Sequence, residues 1–276
     1  MNIKYGYESY LKTIGQMKSD TKKEQWFEYY LIYKDVFDTI FKYLYMKPVD
    51  SMLEIVEHTN FSKITVQADF GIHNSELLRL EETLKACSNY YEFKKIFNLY
   101  VLVGIGHIDG TALPSKTPFI YLGLERLQDR DIELLIQHEF NHMVRFCDSS
   151  EFMTATKLTV GQLVVAEGLA TLAPLAMKNE ILSEEALAKA LFMKNIEYEK
   201  LKNNYNNIER SIIRDFDKEL SPKLMSKYFM KNGGEFDRAG YFYGMTIIKT
   251  LMDKKKSLPE LTYMDTRTIM YYFSKN

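Results

Sequence analysis

The sequence predicts an α+β protein in which helix predominates. Three observations carry that reading. Apolar residues recur at three- and four-residue steps over residues 8–46. Short strand-like runs then cluster between Ile64 and Leu124, and helical periodicity resumes at Asp131 and continues onward. The chain has 276 residues, of which 46% are hydrophobic and 26% charged, an ordinary globular balance. A chain of this length buries enough surface to fold without disulfide or metal.

The first helical stretch is aromatic, with Trp26, Phe27, Tyr30, Tyr33, Phe37 and Phe41 among its repeating positions, and Lys47-Pro48 ends it. Ile64-Thr65-Val66-Gln67-Ala68 alternates like a strand. Leu99–Val103 and Phe119–Leu124 are apolar runs that read as further strands. Gly104 to Gly110 forms a glycine-rich loop without the Lys-Ser/Thr pair of a phosphate loop. Ser183 before Glu184 and Glu185, and Ser221 before Pro222, read as helix starts, with Gly233-Gly234 closing the second helix. Residues 203–207 are polar and read as irregular. The expected organisation is an amino-terminal helical lobe over 1–60, a catalytic core over 61–180 and a helical part over 181–276 that completes a cleft.

Thirty-six Lys and Arg balance 37 Asp and Glu, a net charge of −1 that disfavours a nucleic-acid or anionic-membrane coat. The amino terminus has no signal-peptide core, and no run approaches the ~20 apolar residues of a membrane span. A cytoplasmic protein is the expectation. Cys87 and Cys147 make neither a disulfide framework nor a cysteine-based zinc module, and Cys147 reads as a packed thiol.

The chemistry gathers at His138-Glu139-Phe140-Asn141-His142, an HExxH motif. Ile132, Leu135, Ile136, Phe140, Met143 and Val144 give its helix one apolar stripe, and Asp129 and Asp131 suit the positive amino end. Residues four apart lie one above the other on a helix face, so His138 and His142 can reach one ion together. Glu139, displaced around the helix, is placed to hold water beside that ion. The bland alternative is a helix whose histidines only pack or meet solvent.

Catalytic zinc takes three protein ligands. Thr159 and Gln162 fit a capping box opening a second helix, Leu158 and Leu163 its staple, and Pro174 is expected to end or kink it. Glu167 is the sole charged residue between Lys157 and Lys178. A lone carboxylate in an apolar helix is costly to bury unless paired or bound to metal, which makes it the candidate third ligand. Small neighbours, Ala166, Gly168 and Ala170, would let this helix and the motif helix approach closely.

This pattern resembles the gluzincins, and more closely the YjaZ-like family of predicted zinc-dependent proteases. The matching stretches are 138–142, Ala166-Glu167-Gly168-Leu169-Ala170 and Ala239-Gly240-Tyr241-Phe242-Tyr243-Gly244, within about residues 60 to 260. The resemblance implies a zincin-like fold, a Zn2+ site and peptidase chemistry. Two departures stand out. Thr171 replaces the Asp that many gluzincins carry four residues after the third ligand, and 119–125 lacks the strand motif by which aminopeptidases hold a free amino terminus.

The expectation is a zinc metallopeptidase with His138, His142 and Glu167 as ligands and Glu139 as general base. Residues 119–124 are expected to present an edge for an extended peptide or protein substrate. Tyr241, by its resemblance to the Tyr-x-x-Gly of the aminopeptidase N type, would stabilise the developing oxyanion, with Tyr243 the rival donor and Arg238 a more distant one. Two alternatives remain: a zinc-binding interaction protein without turnover, which intact Glu139 disfavours, and a peptidase devoted to one regulatory partner. His107, Cys87 and Lys254–Lys256 read as structural or solvated.

Overall fold

The structure, a computed structural model, describes residues 1–14, 22–153 and 157–275. The chain folds as two units, Met1–Glu139 and Phe140–Asn276.

The first unit contains β1 (Asn2–Tyr5), α1 (Tyr7–Ile14), α2 (Lys22–Ile32), α3 (Lys34–Ile40), α4 (Val49–His58), α5 (Phe61–Ile72), α6 (Leu80–Tyr90), β2 (Asn98–Leu102), β3 (Gly110–Thr111) and β4 (Phe119–Gly123). It ends within α7 (Ile132–Asp148), the helix of the HExxH motif. Trp26, Tyr29, Tyr30, Phe37 and Phe41 are buried, so most of the aromatic stretch is core, while Phe27 is exposed and Tyr33 half-buried. Part of that stretch, residues 15–21, lies outside the described residues.

The sheet order is β1-β2-β4-β3. The first three strands run parallel and β3 pairs antiparallel with Tyr121 and Leu122 of β4. Two expectations need correction. Residues 64–68 are helical, within α5: Phe61, Ile64, Ala68 and Gly71 are buried at three- and four-residue steps, and the Asn60 side chain caps the helix by accepting from the Lys63 N–H. Five residues of alternation are too few to outweigh that longer period. Residues 119–124 do not present a sheet edge either. β4 lies between β2 and β3, consistent with all five of its residues being buried, and the short β3 is the outer strand.

The second unit takes in the rest of α7, then α8 (Ser150–Met153), α9 (Val160–Met177), α10 (Glu184–Ala190), α11 (Asn195–Asn203), α12 (Tyr205–Asp215), α13 (Pro222–Phe229), α14 (Ala239–Asp253), α15 (Leu258–Tyr263) and α16 (Thr266–Ser274). The capping box of α9 is formed, with Thr159 Oγ1 accepting from the Gln162 N–H and Gln162 Oε1 from the Thr159 N–H. Pro174 does not end α9, which runs on to Met177. The polar stretch 203–207 is broken only at Asn204, between α11 and α12. Gly233-Gly234 lies beyond the end of α13, which closes at Phe229.

By length and composition α9 would pass as a membrane span, contrary to the expectation that no run comes close. However, 83% of it is buried within the protein. α14 packs along it, as expected of a central core helix. Gly168 is the reason they come so close. A Cβ there would lie 2.2 Å from the Gly244 carbonyl carbon, and one on Gly244 would lie 1.9 Å from the Val164 oxygen. Gly168, beside Glu167, thus serves an approach to α14, a helix other than the one for which the sequence suggested it.

Candidate metal centre

Local sequence sets the start of α7. Asp131 Oδ1 accepts the Leu134 N–H at 2.9 Å, and Glu76 Oε2 accepts that of Ile132 at 2.6 Å, so two carboxylates meet the amino end of the helix. Ile132, Ile136, Phe140, Met143 and Val144 are buried and set its rotation. With that face inward, His138 and His142 stand one turn apart on another face. The His142 ring stacks on Phe146, one further turn along, at 5.5 Å with 4° between the planes.

Glu167 comes from the middle of α9, where the capping box sets the helix start and Gly168 sets its depth against α14. It is only 9% exposed. Its Oε2 lies 3.4 Å from His142 Nε2. One ligand atom from each of His138, His142 and Glu167 lies within 4.8 Å of the others, so the structure brings the three expected ligands together.

This donor set fits zinc. Two imidazoles and one carboxylate are the protein ligands of many catalytic zinc sites. Bonds of about 2.0–2.2 Å around a tetrahedral ion set neighbouring donors about 3.3–3.6 Å apart. The 3.4 Å between His142 and Glu167 falls in that range and exceeds a normal N–H···O hydrogen bond.

Glu139 is 6% exposed, and its Oε2 accepts the Ala112 N–H at 2.9 Å. A Cβ on Gly110 would lie 3.3 Å from Glu139 Cγ, so the outer strand passes directly beside this carboxylate. Sequence reasoning misses the role of Ala112 and Gly110, because 110–112 carries no strand signal. Only the glycine at 110 hints at a close approach.

Two turns beyond His138 on α7, Arg145 is fully buried. Nη1 donates to the carbonyls of Thr262 and Met264, and Nη2 to Glu151 and Thr266. Burial pulls its pKa down to about 10, opposed by Glu151. Asn141, inside the motif, donates to Thr262 at 2.8 Å. These bonds fasten the carboxyl half of α7 to the α15–α16 segment. Sequence reasoning misses them too, because Arg145 reads as an ordinary last-turn cation.

Tyr241 and Tyr243 lie two residues apart near the start of α14. The Tyr243 hydroxyl donates to Glu209 at 3.1 Å, and its ring packs on Tyr205 and Phe273. Burial, Glu209 and Tyr205 push its pKa up. Tyr241 is half-buried, with its ring against Phe229. His107 is exposed beside the Tyr45 hydroxyl, and both cysteines are buried and outside any disulfide.

A family model described as predicted Zn-dependent protease matches residues 98–271. Comparison with curated proteins and with solved structures gave no match. The match spans well over half of the chain, which therefore belongs to that family of predicted Zn-dependent proteases.

Proposed function

Taking membership of that family as the premise, we propose that the chain is a zinc-dependent peptidase of gluzincin type, with His138, His142 and Glu167 holding the ion. The convergence of these three ligand groups carries the reading. When bound, zinc supplies a Lewis acid for the scissile carbonyl and brings the pKa of a coordinated water close to neutrality.

The chain's own residues supply the rest. Glu139 takes the proton of the attacking water and later returns a proton to the leaving amine. The Ala112 N–H, on Oε2, holds that carboxylate in one orientation. The outer strand β3 is the edge on which an extended substrate would pair, beside Glu139 rather than along β4. Tyr241 would donate from its hydroxyl to the developing oxyanion. Its place supports this: Gly244, one turn along α14, touches α9 at Gly168, next to Glu167. Tyr243, on the other side of α14, already donates to Glu209.

A zinc-holding interaction protein has no use for a buried carboxylate at 139 beside the ligands, so that reading is disfavoured. The test is hydrolysis of a mixed peptide library by the zinc-reconstituted full chain. Zinc-dependent cleavage that disappears in Glu139→Gln is expected. Absence of any cleavage by the wild type would overturn the peptidase reading.

A further inference from the structure

We propose that Arg238 is a carboxylate-recognising residue beside the candidate centre, so that the preferred peptides carry an anionic group within two or three residues of the cleaved bond. The proposal rests on the peptidase reading and names the substrate class for that same site.

Arg238 is the residue at which α14 begins, and its backbone is left-handed, with φ 55°. Such a conformation is disfavoured in a residue with a Cβ and persists where the surroundings hold it. Here they do. Nη1 donates to the Leu191 carbonyl at 2.6 Å, and the guanidinium lies 5.9 Å from the Phe192 ring centre and 5.6 Å from that of Tyr241. Phe192 is itself left-handed, with φ 53°, and 70% exposed. That backbone closes α10, with the Phe192 N–H donating to the Lys189 carbonyl and the Met193 N–H to the Ala188 carbonyl, and it leaves the ring beside the Arg238 guanidinium at the surface.

A guanidinium held against two rings keeps its plane fixed and its edge N–H groups available. Arg238 spends one of its five N–H donors on Leu191. Among the described residues, no carboxylate pairs with it. The nearest acids in sequence are committed elsewhere. Asp237 accepts the N–H groups of Asn232, Gly233 and Gly234 at 2.8–3.1 Å, and Glu235 accepts from Asn204. Arg145 offers the contrast, since its N–H groups meet Glu151, Thr266 and two carbonyls. A fixed, half-buried guanidinium without an anion is a ready partner for a carboxylate in two-pronged geometry.

Along α14, Arg238 stands six residues before the contact with α9. Arg238, Tyr241 and Gly244 follow at three-residue steps, and Gly244 meets α9 next to Glu167. Six residues of helix rise about 9 Å. Two or three residues of extended peptide, at about 3.3 Å each, cover the same distance. The carboxylate can belong to an Asp or Glu side chain or to a peptide carboxyl terminus.

Matched peptides distinguish these sources. One set is amide-capped and differs by Asp against Asn, or Glu against Gln, at each of three positions on either side of the cleaved bond. The other differs only by free acid against amide at its carboxyl terminus. The ratio of kcat/KM for acid over amide is expected to reach about 10- to 100-fold at one position, in keeping with a charge-assisted pair. That ratio should collapse in Arg238→Gln and be partly restored in Arg238→Lys. Because it is internal to each variant, a general loss of activity does not mimic the result. The same pairs are titrated against zinc-loaded Glu139→Gln protein, with and without Arg238→Gln, to read binding alone. A wild type with no acid preference, or a preference that survives Arg238→Gln, overturns the proposal. Arg238-dependent binding without hydrolysis sinks the peptidase reading and keeps the carboxylate site. Hydrolysis without charge preference does the reverse, and absence of both overturns both.

Discussion

Oε2 of Glu139 accepts the backbone N–H of Ala112 at 2.9 Å, so the residue proposed as general base is tethered to the outer edge of the sheet. The tether separates orientation from proton transfer. An amide at position 139 keeps an acceptor for Ala112 but cannot take a proton at neutral pH. Glu139→Gln should therefore retain about one zinc per chain and an unchanged melting temperature, while turnover falls by about 10²–10⁴. Elemental analysis and peptide hydrolysis on the same preparation check this. Turnover at the wild-type level would remove Glu139 from the role.

Glu167 allows a test of metal binding that does not depend on activity. Its carboxylate sits 3.4 Å from His142 Nε2, and it is the one member of the proposed ligand set that α9 supplies. Glu167→Ala should weaken zinc binding by at least about 10-fold, judging by the contribution of single groups at metal sites. Competition with a chelator reads that change directly. Circular dichroism should still show the native helix content, because α9 is held by its capping box and by α14 rather than by metal. Undiminished zinc affinity would mean that a different third ligand is used.

The convergence of the three candidate ligands was legible in the sequence because it depends on helix periodicity, which sequence records faithfully. His138 and His142 are fixed by a four-residue spacing, and Glu167 by its isolation in an apolar helix with a clear start. The sheet was less legible. Asn2–Tyr5 is too short to announce a strand and gains its structure only from pairing with Asn98–Val101. Ile64–Ala68 alternates yet folds as helix, since Phe61 and Gly71, outside that window, complete a buried helical face. β3 has two residues and no apolar pattern, so sequence alone puts the edge beside Glu139 on its neighbour β4. Pro174 fails to stop α9 because fifteen residues from Val160 to Leu175 are buried and the tertiary packing outweighs one lost backbone bond. The strained pair Phe192 and Arg238 leaves no trace, because neither is a residue that announces a left-handed backbone.

A pH effect follows from Glu125. It is 2% exposed, and its two carboxylate oxygens accept the N–H groups of Gly104 and Gly106 at 2.9 and 2.8 Å. Burial raises its pKa, and the backbone bonds only partly oppose this. A carboxyl whose folded pKa is raised contributes stability that is fully present below its unfolded value, about 4.3, and is lost as pH rises through the folded value. Glu125→Gln titrates in neither state. The stability of the variant relative to wild type should therefore improve as pH rises from about 4 toward neutrality. Urea midpoints of both proteins across that range check the sign. A difference that is flat, or that moves in favour of wild type, would show that the two backbone donors outweigh burial.

Tyr241 bears the riskiest expectation. Attack on the carbonyl places negative charge on its oxygen, and a phenol donor stabilises that charge without adding one of its own. Two tyrosines near the start of α14 compete for this task. Tyr243 donates to Glu209, and transferring that donor to substrate would leave the Glu209 carboxylate without it. Tyr241 lies about 200° around the helix from Tyr243. It shares the turn of Gly244, where α14 meets the helix of Glu167. Tyr241→Phe keeps the ring on Phe229 and under Arg238 while removing the hydroxyl. Turnover should drop by about 10²–10³, the usual loss for one oxyanion donor, with zinc content unchanged. Tyr243→Phe should cost stability through Glu209 and leave kcat near wild type, read by thermal melts alongside steady-state kinetics. If the two variants exchange these behaviours, the oxyanion donor is Tyr243. Should both turn over at the wild-type rate, neither tyrosine has the role.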